Sequence, residues 1–479
     1  MLAESKRSAQ TETWEGKRVV VLGLARQGAA LVRFLLRQGA DVTASDLRSA
    51  EELHETVESL KGLSPSYVLG GHPPSILDGA DLLCLSGGVP IDAPIVVEAR
   101  RRGIPLSNDA QLFLERCPAP VIGITGSSGK TTTTSLVGRM LQRGRFLTWV
   151  GGNIGRPLID HVWEMKTGDR VVIELSSFQL ELMTVSPDVA AVLNVTPNHL
   201  DRHGTMEVYS AAKQRILDFQ GESDVALLCV DDAGSWGLLP HVRGKLACFS
   251  ATELDLAHLR TSGVEIVAGA YLRDSAVILN LAGDEDVVCQ TKEIQLLGWH
   301  NVLNVLAACV LAAIVGVQVD AIRDVATTFT GVEHRLQLVR ALRGVRYYDD
   351  SIATAPERTV AALKAFDAPI VLLAGGRDKA LPWDEMAKEA LKRARHIVAF
   401  GEAAALVERV IDESRSGVTD IKLEDITRVQ TLEEAVSVAA RVAQSGDVVL
   451  LAPGGTSFDA FKDFAERGAR FQALVAELE

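Results

Sequence analysis

Short apolar runs punctuate this chain from end to end, and most stop at a cluster of small or polar turn residues. RVVVLGL (18–24), DLLCLSGG (81–88), VIGITG (121–126), VVIELSS (171–177) and AAVLNV (190–195) have this form. So do IVLLAGG (370–376), HIVAFG (396–401) and VVLLAPGG (448–455). Runs this short, bounded by turn residues, predict buried strands. Between them lie stretches with helical spacing, such as ARQGAALVRFLLRQ (25–38) and TTTTSLVGRML (131–141). The alternation predicts α/β domains on parallel sheets, Rossmann-like in the first third and again in the last. Residues 221–296 read as strand-rich, and LLGWHNVLNVLAACVLAAIVGV (296–317) as a long apolar helix. Residues 1–16 read as a loose polar tail.

In such sheets the loops at the carboxyl ends of the strands line the ligand crevice, so the polar residues there are the candidates. The stretch VIGITGSSGKTTTTSL (121–136) is a strand, a glycine loop and a helix start. Backbone N–H groups and a helix N-terminus converge on such a loop and favour an anion. Gly126, Ser127, Ser128 and Gly129 form the loop, Lys130 adds a mobile charge, and the Thr131 hydroxyl can reach a magnesium ion, with Thr132 beside it. The spacing is G-x-x-G-x-x-G-K-T, and Ile124 stands where a Walker A loop has glycine.

Glu174 ends the next apolar strand and reads as the second anchor of that ion, or as a cap for the Ser176–Ser177 turn. Asn153 is bracketed by glycines after another strand. Asn194, Thr196, Asn198, His199 and Asp201 follow a further strand of the same expected sheet, so their loop should face the same crevice. Lys213 is harder to place. An ammonium of unperturbed pKa about 10.4 would repel a metal, and composition makes it a surface lysine. His300, Asn301 and Asn304 open the long apolar helix, more polar groups than capping alone needs.

Gly23, Ala25 and Gly28 occupy the glycine positions of a dinucleotide fingerprint, with Asp46 near the next strand end. The Ala25 methyl hinders approach of a pyrophosphate, so NAD is disfavoured; another nucleotide, or glycines serving only packing, remain open. Arg48 and Ser86 are candidates for a phosphate or a sugar, or are solvated loop residues. In the last third, His334, Arg335, Asp349, Asp350, Ser351, Asp378 and Lys379 fall around strand ends.

Bulk properties narrow the partners. A length of 479 residues suggests about two to four domains. The formal charge of −13 argues against nucleic acid or an anionic membrane, though not against anionic substrates in local cationic pockets. The six cysteines form no C-x-x-C pair, which fits reduced, buried thiols rather than disulfides or zinc. The polar N-terminus has no signal-type apolar segment, and no run is long enough to cross a bilayer.

Taken together, TGSSGKT (125–131), GGNIG (151–155), ELSSFQLE (174–181), LNVTPNHLDRHG (193–204), YSAAK (209–213), GWHNVLN (298–304), EHR (333–335), DSIAT (350–354), GGRDK (375–379) and SFDAFKDFAERG (457–468) resemble, in order, the motifs of the Mur ligase family. ELSSFQLE and FKDFAERG favour its glutamate-adding branch. The resemblance implies a Rossmann-like UDP-binding domain (1–108), a central P-loop ATPase-type α/β domain (109–331), and a Rossmann-like C-terminal domain (332–479) that binds glutamate and closes over ATP. It implies a cytoplasmic, monomeric ligase of peptidoglycan precursor synthesis. ATP would phosphorylate the carboxylate of UDP-N-acetylmuramoyl-L-alanine, and the amine of D-glutamate would attack the acyl phosphate.

By motif position the resemblance implies two magnesium ions, with Thr131 and Glu174 on one and His199 on a second. Lys213 matches a carbamylated lysine, and the carbamate turns the cation into an anion. ATP contacts would come from residues 126–132, Asn301, Arg335 and Asp350. Asn153 would lie near the muramoyl-alanine carboxylate. Thr354, Lys379, Ser457 and Phe464 match glutamate positions; Arg48 and Ser86 match uridine-diphosphate contacts more loosely. Two departures stand out: Ile352 replaces a lysine common in relatives, and PGGTS (453–457) stands where PACAS is frequent. Arg377 or Arg358 could compensate for Ile352. Alternatives are a ligase of altered specificity (L-glutamate), a paralogue that binds nucleotide and UDP-sugar without catalysis, and a Rossmann oxidoreductase.

Overall fold

A computed structural model describes residues 13–256, 264–296, 298–379 and 381–479, apart from the side chain of Asp201. The chain separates into two compact units, Met1–Phe329 and Thr330–Glu479. Of the expected tail, residues 1–12 lie outside the described residues. Trp14 departs from that expectation: it is buried in the core of the first unit, where Arg116 and Lys17 lie over its ring.

The first unit carries two sheets. One is fully parallel and joins β1 (Arg18–Leu22), β2 (Asp41–Asp46), β3 (Ser66–Leu69), β4 (Leu82–Leu85) and β5 (Leu106–Ser107) in the order β3-β2-β1-β4-β5. The strand order reverses beside β1, which places the loops after β1 and β4 at the crevice. The glycine fingerprint serves close packing here. A Cβ on Gly28 would lie 1.7 Å from the Gly23 carbonyl oxygen, so the helix Arg26–Arg37 can start under β1 only with glycine at that position.

The other sheet has nine strands: β6 (Val121–Thr125), β7 (Thr148–Gly152), β8 (Arg170–Glu174), β9 (Val189–Val192), β10 (Val225–Cys229), β11 (Lys245–Ser250), β12 (Ile266–Arg273), β13 (Ala276–Leu281) and β14 (Asp284–Gln290). Their order is β14-β13-β12-β11-β10-β9-β6-β8-β7. The seven strands from β6 to β12 run parallel, and β13 and β14 add antiparallel hairpins at one edge. The expected long helix is Trp299–Ile314; its residues from Val305 to Leu311 are inaccessible to solvent, packed with Leu136, Met140 and the apolar face of this sheet. A second core is shared by both sheets of the unit, running from Val19 and Phe34 through Phe113 to Val171 and Leu180. Among the described residues no helix is long and apolar enough to cross a membrane.

The second unit has one six-stranded sheet: β15 (Gln337–Leu342), β16 (Val345–Asp349), β17 (Ile370–Gly375), β18 (Ala394–Phe400), β19 (Asp425–Arg428) and β20 (Val448–Gly454). The order is β15-β16-β20-β17-β18-β19, parallel except for β15. Insertion of β20 between β16 and β17 brings the loops after these three strands to one rim.

Candidate active site

Strand register sets the site of the first unit. Strand β6 is flanked by β8 and β9, with Ile124 opposite Glu174 and Thr125 opposite Val192. The glycine loop therefore leaves the sheet level with Glu174 and with the loop after β9. Gly129 has φ +79°, and a Cβ there would lie 2.2 Å from Asn304 Oδ1, so backbone conformation and space both require glycine. It caps the helix Lys130–Arg143 without any side-chain cap, which leaves the N-terminus to an external anion.

Three side chains form a hydrogen-bonded array beside it. The Thr131 hydroxyl donates to Glu174 Oε2 at 2.8 Å, and Asn153 Nδ2 donates to Glu174 Oε1 at 3.0 Å. Glu174 is buried among these donors. It does not cap the following turn; Ser176 and Gln179 do that as a capping box. Lys130 Nζ donates to the carbonyls of Gly126 (2.8 Å) and Ser127 (3.3 Å), across its own loop.

Ser127 ties the loop to its surroundings. Its hydroxyl donates to Thr196 O at 2.8 Å, and accepts from Thr196 N at 2.9 Å and from the Tyr209 hydroxyl at 3.0 Å. Asn194 Oδ1 accepts from Ser128 N at 2.8 Å. His199 is exposed in a left-handed conformation (φ +53°) ahead of the short helix Leu200–His203, its ring 5.4 Å from that of Phe178. His203 is buried below, its Nε2 2.9 Å from Ser177 Oγ. Asn304 accepts from the Thr133 hydroxyl and donates to Asn301 Oδ1 at 2.8 Å, so the start of the long helix abuts the phosphate loop.

The surface placement expected for Lys213 is wrong. The side chain is 1% exposed, with Nζ 4.6 Å from the Tyr209 ring centroid. Burial pulls its pKa down to about 7, and the charge of Lys130 adds to the shift. A neutral amine is thus available near neutral pH. The sequence missed this because the burying groups come from other segments of the chain. It also gave no role to Ser127's bridging hydroxyl or to Tyr209; the aromatic four residues before Lys213, on the same helix face, was the available signal.

In the first sheet, Asp46 ends β2 and accepts from Leu24 N at 2.6 Å and from Arg48 Nη2 at 2.9 Å. Burial raises its pKa, but the Arg48 and backbone hydrogen bonds outweigh it and hold the carboxyl at about 2. Arg48 is thus paired with Asp46 while its side chain stays 45% exposed. Ser86 is buried after β4. It lines a narrow cleft whose walls include Gly87, Asn108, Phe178, Glu181 and Arg202. Phe178 and Arg202 carried no role in the sequence reading.

In the second unit, Asp350 follows β16 and accepts from Leu336 N at 3.0 Å; burial pushes its pKa up to about 7, against the pull of that bond and of Arg335. Arg335 is exposed. Lys379 Nζ donates to Thr354 Oγ1 at 3.3 Å. Ser457 is buried after β20, and Phe464 O accepts from the Ser351 hydroxyl at 2.8 Å. Lys130, Thr131, Asn153, Glu174, the His199 loop, Lys213 and Asn301 thus gather in the first unit. Thr354, Lys379 and Ser457 gather on the rim of the second.

Comparison with known proteins bears directly on this layout. Residues 17–108 match the MurD-like N-terminal domain of Mur ligases, 124–312 the Mur ligase middle domain, and 334–455 the Mur ligase glutamate ligase domain. The chain belongs to the Mur ligase family. Its relatives include the UDP-N-acetylmuramoylalanine–D-glutamate ligases of Acetivibrio thermocellus (41% identical, covering 97% of both chains) and Symbiobacterium thermophilum (41%, 96% of this chain and 98% of the relative). Among solved structures, the UDP-N-acetylmuramate-alanine ligase MurC of Thermotoga maritima matches over 96% of this chain and 99% of its own, with TM-score 0.53 and 20% identity. That likeness shows the Mur ligase fold.

Proposed function

We propose that this chain is an ATP-dependent amide ligase that adds D-glutamate to UDP-N-acetylmuramoyl-L-alanine through an acyl phosphate, in peptidoglycan precursor synthesis. The Thr131–Glu174–Asn153 array beside the phosphate loop carries the reading. The substrate names come from relatives about 40% identical over nearly the whole chain.

Two anions, a carboxylate and the γ-phosphate, must meet, and cations have to screen them. Lys130 supplies one by exchanging its loop carbonyls for phosphate oxygens. The first-turn N–H groups of the helix Lys130–Arg143 hold phosphate, and Asn153 orients the acceptor carboxylate next to Glu174. Magnesium, when bound, would neutralise phosphate charge. Among the described residues no three His, Cys, Asp or Glu side chains cluster as metal ligands. The donors present suit an ion that keeps waters and phosphate oxygens in its shell. Thr131 and Glu174 would hold one ion, and His199 with a carbamylated Lys213 a second. Asn301, Arg335 and Asp350 are assigned to nucleotide; Arg48 and Ser86 to the uridine diphosphate; Thr354, Lys379, Ser457 and Phe464 to glutamate. The enzyme is read as monomeric and cytoplasmic.

The test is phosphate release with UDP-N-acetylmuramoyl-L-alanine and D- or L-glutamate offered separately. D-glutamate-dependent release, with the ligated product detected by mass, supports the reading. Preference for L-glutamate reassigns the specificity. Binding of ATP and UDP-sugar with no product for any amino acid makes the chain a non-catalytic paralogue.

A further inference from the structure

The rim of the second unit holds two cations, Arg358 and Lys379, that make no ion pair among the described residues, although Arg358 lies near enough to the buried Asp350 to lower its pKa. The loop after β16 carries Ile352 and Thr354 into the helix Pro356–Lys364, with Arg358 exposed in its first turn. Two bonds fix this segment against the end of β20: Gly454 N donates to Ala353 O at 2.8 Å, and the Thr359 hydroxyl to Ala452 O at 3.1 Å. The loop after β17 is fixed to the same strand end by a reciprocal pair, Arg377 N to Thr456 O and Thr456 N to Arg377 O. Lys379, two residues on, reaches back to Thr354. Ser457, next to Thr456, is 2% exposed.

Two other cations nearby are committed. Arg377 makes a bidentate pair with Glu402 at 2.8 and 2.9 Å. Arg467 is inaccessible, and its guanidinium is consumed by Ser351 Oγ and O and by the carbonyls of Gly455 and Thr456. Asp378 accepts from Trp383 Nε1. Lys379 and Arg358 make no ion pair among the described residues. They do feel each other: burial lowers the Lys379 pKa, and the positive charges of Arg358 and then Arg467 lower it further. Like charges held together are relieved by binding an anion.

We propose that Arg358 binds one carboxylate of the incoming amino acid while Lys379 binds the other, which makes Arg358 a determinant of selectivity for a dicarboxylic amino acid. This rests on the ligase reading above. It also gives the apolar Ile352 a counterpart: the cation common at that position in relatives is supplied here from one turn into the following helix. Arg377, the other candidate, is held by Glu402.

The experiment is steady-state ligation by the full chain carrying Arg358→Ala, Arg358→Lys or, as a neighbouring control, Glu357→Ala. A lost charge-assisted hydrogen bond to a carboxylate corresponds to roughly 10- to 100-fold in affinity. Arg358→Ala is expected to raise the KM for glutamate by that factor, with the KM values for ATP and the UDP-sugar unchanged. Arg358→Lys should recover most of the loss, and Glu357→Ala should lose nothing. Adding Ile352→Lys to Arg358→Ala should restore affinity. Glutamine and isoglutamine each lack one carboxylate, and Arg358→Ala should abolish discrimination against one of the two. An unchanged glutamate KM in a ligating, folded Arg358→Ala overturns this inference alone, as does equal damage to all three substrates. Absence of glutamate-dependent turnover in the unmodified chain overturns the ligase reading and this inference with it.

Discussion

Lys213 shows how much one side chain's chemistry depends on its surroundings. An exposed lysine is protonated at pH 7, whereas this one, buried against Tyr209 and repelled by Lys130, titrates at about 7. The neutral amine is the form that reacts with carbon dioxide, so labelled bicarbonate at pH 8 is expected to give a carbamate signal in NMR that disappears in Lys213→Ala. Ligation by Lys213→Ala should fall at least about 100-fold, the lower range for removal of one charge-stabilising group, and recover in part with added short-chain carboxylates. The lysine itself was legible in YSAAK, and so was Tyr209 on the same helix face; the charge of Lys130 was not, because it comes near only after the sheet has formed. Asp109 is a parallel case without a catalytic role. Burial pushes its pKa up to about 6, against hydrogen bonds from Gln179 and nearby backbone. The folded chain therefore holds this proton between about pH 4 and 6, where the unfolded chain releases it. Stability falls as pH rises through that window, and the penalty is complete above it. Asp109→Asn is expected to stabilise the chain by about 1–2 kcal/mol at pH 8, after allowance for the lost charge at the helix start. The gain should vanish near pH 4, as read by denaturant melts at both pH values.

Among the elements, strands and helices were legible because a buried parallel strand and an amphipathic helix leave different periodicities. RVVVL, VIGIT, VVIE and IVLLAG all form strands. What the periodicity lacked was neighbourhood. No local pattern says that β20 enters between β16 and β17, or that β13 and β14 turn antiparallel, since pairing is decided by crossover geometry and the fit of whole faces. The glycine fingerprint illustrates the same limit. Its spacing suggested a nucleotide, while the structure shows Gly28 meeting the main chain of Gly23 directly. A methyl at 1.7 Å from a carbonyl oxygen has no rotamer to escape into, so Gly28→Ala must lift the helix Arg26–Arg37 from β1. The expected loss is about 3 kcal/mol or more, at the upper end for overpacking. Gly168→Ala, where an added Cβ meets nothing within 4 Å, should change stability little. Equal melts for the two variants would contradict the packing role.

For the molecule as a whole, the division of its cores makes the most demanding prediction. The two apolar clusters of the second sheet-bearing unit, one around Leu372, Ile397 and Leu450 and the other around Leu373, Val449 and Phe471, draw every residue from beyond Thr330. The largest core of the first unit is instead shared between its two sheets, from Val19 to Val171. A segment folds alone when its apolar faces are covered by its own residues. Residues 330–479 are therefore expected to unfold cooperatively in isolation, and residues 1–108 are not, because the isolated segment leaves Phe34 without Phe113 and without Trp163, which stacks on it. The cysteines give an internal readout. All six are buried, and all precede Thr330. Burial also pushes the Cys229 and Cys248 thiols up to about 12, far from the reactive thiolate. A thiol reagent should find none in the native chain and all six after denaturation, with reactivity rising only as the first unit opens. Trp383, buried against Asp378 in the second unit, reports the other transition in the isolated segment. If 330–479 melts without a cooperative transition, or if thiols react while the first unit retains its helical signal, the cores are not partitioned as the packing dictates.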